Sequence, residues 1–290
     1  MKLDLDASVR DFDQQGYAVL KGLLSPAVID AVRDDLERWV EAQAQALLAQ
    51  GVIADLLVDE SFERRLARLF TGHMEHAPKS LRSELHWEGM YLLFFHPAVL
   101  DVVERLLGVA EIRLYPNYTV RPKFPDDPAT EVLWHQDAGY TSSGQHGRDE
   151  RAGKEQHVEA LRMVNVWAPL VPARRDNGCM QFVPGTHRAG LATHERREHY
   201  LEISAAEIGA HEADAIDIVC DPGDVVIFSN MLYHRGLPNA TDEIRWSCDW
   251  RYQDAGQSTM RSERGHIARS RRAPETAVSS SAQWASLSFQ

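Results

Sequence analysis

His135 and Asp137 stand two positions apart in "VLWHQDAGY", residues 132 to 140. A neutral imidazole and a carboxylate side by side are a metal-ligand pair, and side chains at i and i+2 of an extended strand share a face. They are equally a polar pair on a wetted sheet. His73-Met74-Glu75, His86-Trp87-Glu88 and His157-Val158-Glu159 repeat the spacing, so the pattern by itself selects nothing. A facial metal centre needs two His and one carboxylate, and leaves the other positions of an octahedral ion open. The second histidine must then come from another strand, far off in sequence. His234, closing "DVVIFSNMLYH", is placed to supply it. Farther on, Arg245 opens a strand with a permanently charged planar guanidinium, the group that grips a carboxylate through two parallel hydrogen bonds. Ser247, Asp249 and Arg251 follow on its face, which therefore lines a wet cavity or faces solvent.

The elements that position these residues are legible in the periodicity. The first third, residues 1–108, reads as a mainly helical support. "GYAVLKGLL" is a short strand, and Ser25-Pro26 signals a helix start. Ile29, Val32, Leu36 and Val40 then recur at helical steps. A second helix runs from His96-Pro97 through Val99, Leu100, Val103, Leu106 and Leu107 to Gly108. After Gly108 the period becomes alternating: "EIRLYPNYTVRP", "EVLWHQD", "ALRMVNVWAPL", "CMQFVPG", "AIDIVC", "DVVIFSN" and "IRWSCDWRY" are strand candidates separated by Gly, Pro, Asn and Asp turns. The expected fold is mixed α+β: a double-stranded β-helix, or cupin-like jelly roll, with an N-terminal helical layer. A single domain is expected over 1–290, with the jelly-roll core at 109–255 and a C-terminal extension at 256–290. The polar, aperiodic run at 141–160 is expected to be a lid loop.

Bulk properties narrow the setting. A net charge of −12 argues against nucleic-acid and anionic-membrane partners, and the three widely spaced cysteines match no zinc pattern and read as free thiols of a reducing compartment. The greasiest stretch, "MYLLFFHPAVLDVVERLLG", is cut by charges and a proline and is no membrane span. A soluble cytoplasmic protein with a small-molecule substrate is expected; oligomeric state is not encoded legibly.

From "GYAVLKGLLSP" to "RSRRAP" the chain resembles the phytanoyl-CoA dioxygenase family of iron(II)/2-oxoglutarate oxygenases, most strongly at "WHQD", "NVWAPLVPARRDNGCMQFVPGTH" and "HRGLPNATDEIRWSCDWRY". The resemblance implies that His135, Asp137 and His234 ligate iron(II), and that Arg245 binds the distal carboxylate of 2-oxoglutarate. It places Trp167 beside that cosubstrate, with Asn117, expected on the strand before "WHQD", and Ser247 as further contacts. Gly236 departs from the family, many of whose members carry Ser there. The implied reaction uses O2, releases succinate and CO2, and hydroxylates an unactivated C–H of a metabolite or natural product. Asp137 as a carboxylate ligand argues against a halogenase, whose iron needs room for chloride.

The bland readings stand beside these. Trp167 packs a sandwich core as readily as it lines a site, and Asn117 is a ready structural hydrogen bonder. His187 in "PGTH" and the His-x-Glu pairs at 73 and 86 read as structural, and Asn177-Gly178 as a tight turn. Arg261, Arg264, Arg269, Arg271 and Arg272 either bridge to the acidic body or reach the cavity to hold a substrate carboxylate or phosphate. The alternative functions are a non-oxidising jelly-roll metal or ligand binder, a metal-dependent isomerase and, within the family, an acyl-CoA hydroxylase.

Overall fold

A computed structural model describes residues 4–142, 158–197 and 200–288. Its N-terminal layer opens with a helix the sequence reading did not anticipate, α1 (Leu5–Gln15). The Asp4 carboxylate caps it, accepting from the Ala7 N–H at 2.9 Å, and Gly16 ends it at φ 86°. Strand β1 (Tyr17–Leu20) follows, and α2 (Pro26–Ala49) starts where Ser25-Pro26 signals it. Ser25 has the extended N-cap backbone but makes no side-chain capping bond. Ile29, Val32, Leu36 and Val40 form its buried stripe. Short α3 (Arg65–Leu69) and α4 (Glu88–Phe94) lead into α5 (Pro97–Leu107), which stops at Gly108.

Beyond this layer come β2 (Glu111–Leu114), β3 (Thr119–Lys123), β4 (Val132–His135), α6 (Asp137–Ser142), β5 (Met163–Pro169), β6 (Met180–Phe182), β7 (His194–Arg196), β8 (Leu201–Ile203), α7 (Ala205–Gly209), β9 (Ile216–Ile218), β10 (Val225–Ser229), β11 (His234–Gly236), β12 (Arg245–Asp254), β13 (His266–Ser270) and α8 (Ser281–Ala285). One antiparallel sheet runs β1-β10-β5-β12-β2-β13, with β3 also paired to β12; a second runs β4-β11-β6-β9; β7 and β8 form a separate hairpin. The two larger sheets make the jelly roll.

The larger sheet is covered by helices on one face and by the second sheet on the other, so its central strands are buried on both sides. Strand β12 shows what this demands of a sequence. Trp246, Cys248, Trp250 and Tyr252 point into the core shared with the helices, whereas Arg245, Ser247, Asp249 and Arg251 line a cavity inside the sandwich. The aromatic–polar alternation of "RWSCDWRY" is the pleat of one strand between two environments.

Several expectations need correction. The run 111–122 is not one strand. It breaks at Tyr115–Tyr118, around Pro116, which has no N–H to give a ladder, and both halves pair with β12. Asn117 lies in this break rather than on a strand. Asp137 is the first residue of α6, not the end of a strand, and His234 starts a strand of its own. The C-terminal extension is integral to the fold: β13 forms the edge of the larger sheet against β2. Of the expected lid at 141–160, the middle, 143–157, lies outside the described residues; 141–142 end α6 and Val158–Ala160 form a single helical turn. Among the described residues no helix is long and apolar enough to cross a membrane.

Trp284 of α8 ties the chain end to the helical layer. It is fully buried, stacks on His86 with centroids 4.2 Å apart and donates to the Leu85 carbonyl at 3.0 Å. Trp284→Ala should therefore lower unfolding stability by about 3–5 kcal/mol. Urea denaturation checks this, and a loss below about 1 kcal/mol would show that the chain end contributes little.

Candidate metal centre

His135 closes β4 and His234 opens the neighbouring β11, and the antiparallel register sets the two directly opposite one another. Their rings lie 4.0 Å apart between centroids. Asp137 arrives from the first turn of α6, one of its oxygens 3.8 Å from His135 Nε2. One donor atom from each of the three falls within 4.8 Å of the others, compact enough for one ion with bonds of about 2.0–2.2 Å. Among the described residues this is the sole such cluster of three.

Both histidines are prepared in the same way. Nδ1 of His135 faces the Leu133 carbonyl at 2.8 Å, and Nδ1 of His234 faces the Leu232 carbonyl at 2.9 Å. A carbonyl only accepts, so each Nδ1 carries the proton and each Nε2 presents its lone pair. Burial pushes the His135 pKa down to about 3, with the facing His234 adding to the effect, and burial lowers His234 as well. The imidazoles are neutral and ready to ligate. The turn between the ligands is pinned by Gln136, fully buried, whose amide donates to the Met231 and Gly190 carbonyls at 2.7 and 2.9 Å and accepts from the Ala192 N–H at 2.8 Å.

Asp137 depends on Arg251. Burial alone would raise its pKa, but the Arg251 guanidinium, with the two histidines, holds it well below the usual carboxylate range. Arg251 Nη2 lies 2.8 Å from the carboxylate, while its Nη1 donates to the Asn117 carbonyl at 3.1 Å. Arg251 is thus committed to orienting a candidate ligand, and it is not free to clamp a cosubstrate.

Arg245 is the opposite case. It is buried, donates to Ser247 Oγ at 2.5 Å and stands 5.5 Å from the Trp167 ring centroid, yet it has no carboxylate partner among the described residues, and its Nε makes no hydrogen bond. Burial lowers its pKa only to about 10, so the charge persists at neutral pH. Trp167 and Ser247 line the same cavity, as does Asn117, whose side-chain oxygen accepts from Arg82 at 2.9 Å. All seven residues singled out from the sequence therefore converge on one cavity.

The sequence reading missed four participants. Arg82 and Arg121 line the cavity, and Arg121 pairs with Asp249 at 2.6 Å. Gln136 is hidden between the ligands. Lys123 is almost fully buried near Gly236, where a Cβ would sit 3.6 Å from its Nζ. Gly178 at φ 85° gives the lysine its passage, since a Cβ there would fall 2.5 Å from Lys123 Cε. The C-terminal arginines do not line the cavity: Arg269 and Arg271 pair with Glu104 at 2.8 and 2.7 Å, and Arg261 is buried over the Tyr115 ring. His187 packs against α1 and His86 against Trp284, both as structural groups.

Two outcomes follow. Arg251→Gln should leave the three ligand side chains in place yet weaken divalent-metal affinity by roughly 10–100-fold, read by calorimetric titration; unchanged affinity would remove Arg251 from the centre. Burial, with the Arg245 charge, lowers the Lys123 pKa from 10.5 to about 7. The folded state thus releases a proton that the unfolded chain keeps, and the cost of burying the charge is full below pH 7 and fades toward 10.5. Lys123→Met should stabilise the protein more at pH 6.5 than at pH 9.5, as read by urea denaturation at the two values.

The family model for phytanoyl-CoA dioxygenase (PhyH) matches residues 12–247. The chain is 26% identical over 266 residues to 1-deoxypentalenic acid 11-beta-hydroxylase of Streptomyces arenae, covering 87% of this chain and 82% of that protein. It is 24% identical to phytanoyl-CoA dioxygenase domain-containing protein 1 of Danio rerio, covering 83% and 87%. In fold it is similar to EvdO2 from Micromonospora carbonacea var. aurantiaca, crystallised with 2-oxoglutarate, with a TM-score of 0.61 at 18% identity over 88% of this chain and 92% of that one. With most of its length matched by one family, the chain belongs to the phytanoyl-CoA dioxygenase family.

Proposed function

We propose that this chain is an iron(II)- and 2-oxoglutarate-dependent dioxygenase that hydroxylates an unactivated C–H of a compact metabolite or natural product. The observation that carries the reading is the pairing inside one cavity of a buried His135–Asp137–His234 cluster with Arg245, a charged guanidinium that has no carboxylate of its own. The donor set fits iron(II), since two imidazoles and one carboxylate on one face leave the remaining positions open for cosubstrate and oxygen. The orphaned Arg245 Nε fits an incoming dicarboxylate. Iron(II) with 2-oxoglutarate supplies the oxygen activation, with release of succinate and CO2.

The chain's own residues do the rest. His135, Asp137 and His234 hold the ion, and Arg251 keeps the Asp137 carboxylate ionised and aimed. Arg245 takes the far carboxylate of 2-oxoglutarate, with Ser247 fixing the guanidinium and Trp167 forming a flat wall beside it. Asn117, which lines the same cavity, adds a further contact through its amide. Asp137 in the ligand position fills the room a halogenase would reserve for chloride. A binder or isomerase would have no use for a second, unfilled carboxylate grip. The cavity, about 240 Å³, lies below the usual range for small-molecule sites of roughly 300–1,000 Å³, which favours a compact substrate over a long acyl thioester. The hydroxylase of Streptomyces arenae supports hydroxylation as the outcome, and three buried free thiols support work in the reducing cytoplasm.

Anaerobic addition of iron(II) and 2-oxoglutarate should give the weak visible charge-transfer band of the chelate, and His135→Ala or His234→Ala should abolish it while the fold persists. Arg245→Gln should raise the dissociation constant of 2-oxoglutarate by about 30-fold or more, from a loss of about 2–5 kcal/mol, and Arg245→Lys should recover only part of it. An unchanged cosubstrate affinity in Arg245→Gln would move the clamp elsewhere.

A further inference from the structure

Five arginines and two aspartates line the cavity, an excess of three positive charges. Their partners sort them. Arg121 is paired with Asp249, Arg251 with Asp137, and Arg235 with Glu212 outside the cavity. Arg245 and Arg82 remain, neither with a carboxylate partner among the described residues. Iron(II) and doubly ionised 2-oxoglutarate add no net charge, so two positive charges remain; the distal carboxylate of the cosubstrate faces Arg245. Arg82 still lacks an anion.

Arg82 is also held in place. Its neighbour Leu81 bridges to Val120 of β3 through two backbone hydrogen bonds, of 2.9 and 3.1 Å. The Arg82 N–H is bound by Glu84 at 3.0 Å, and its Nη1 donates to Asn117 Oδ1 at 2.9 Å. The guanidinium is thus fixed at the cavity with donors to spare, and ordering cost on binding is low. Burial and the like charges of Arg121, Arg251 and Arg261 outweigh the opposing pull of Asp249 and lower its pKa to about 10, so it remains a cation at neutral pH. Such a group is relieved by one arriving negative charge. Its planar fork matches the two oxygens of a carboxylate through parallel hydrogen bonds.

We propose that Arg82 is the substrate anchor and that the substrate is a compact carboxylic acid, held by its carboxylate at Arg82 while a distant C–H faces the metal centre. This deepens the oxygenase reading and rests on it. Of the C-terminal arginines, which could have offered such a grip, Arg269 and Arg271 are paired with Glu104, and Arg261 lies over the Tyr115 ring and does not line the cavity.

The test uses the whole protein loaded with manganese(II) and 2-oxoglutarate, titrated with short straight-chain, branched and cyclic carboxylic acids, each beside its primary amide, and followed by Trp fluorescence and calorimetry. At least one acid should bind roughly tenfold or more tighter than its amide. Arg82→Gln should erase that preference, Arg82→Lys should keep part of it, and both should leave 2-oxoglutarate affinity within about twofold. No acid preference in the wild type, the same preference in Arg82→Gln, or an equal loss of 2-oxoglutarate binding would each overturn the assignment. A preference for the matching alkyl phosphates over the acids would overturn the carboxylate class. If 2-oxoglutarate itself fails to bind, the oxygenase reading falls; the acid–amide comparison, repeated without it in Arg245→Gln protein, still decides whether Arg82 selects anions.

Discussion

A carboxylate inside a β-sandwich stays ionised only if a cation stands against it, and the contact between Arg251 and Asp137 meets that demand here. Without the guanidinium, burial would drive Asp137 toward its neutral form, which is a poor ligand. Losing one partner of such a buried pair costs about 3–5 kcal/mol. The pair also reaches across the fold, since Asp137 comes from α6 beside the smaller sheet and Arg251 from the centre of the larger one. The metal centre is therefore a bond between the two sheets, and its geometry depends on how they are set apart.

Strand β12 carries that dependence into the rest of the molecule. Every second side chain, from Arg245 to Arg251, serves the cavity, and the residues between them are Trp and Cys packed into the helical layer. Strands β3 and β5 flank it in register, with Asp249 opposite both Thr119 and Trp167. A shift of one residue would exchange the two faces and bury three arginine or aspartate side chains in the aromatic core. The apolar half of the strand thus fixes the position of the polar half.

How much of this was legible depends on how local each signal is. The jelly-roll class, the helix starting at Ser25-Pro26 and the stop at Gly108 follow from short-range pattern. His135, Asp137, His234 and Arg245 were visible through motif and resemblance, and their polar neighbours on β12 through alternation. Arg82 was not, because it sits in an irregular loop and gains meaning only when Leu81 meets Val120. The task of Arg251 was hidden for the same reason: its partner Asp137 lies on a different element. The break at Tyr115–Tyr118 could have been suspected from Pro116. The edge strand β13 had too short and too charged a sequence, "HIARS", to stand out from its basic surroundings.

The bridge between Leu81 and Val120 has a consequence for the order in which the molecule assembles. The two residues belong to different layers, so their hydrogen bonds form only when the helical segment docks on the sheet. A folding chain whose sandwich has closed but whose helical layer has not would already hold the three metal ligands, yet Arg82 would still be adrift. Such a species would take up metal before it could discriminate among ligands. Competence to bind metal and competence to select a substrate thus rest on separate contacts, the first on the strand pairing of His135 with His234 and the second on the docking of the helical layer.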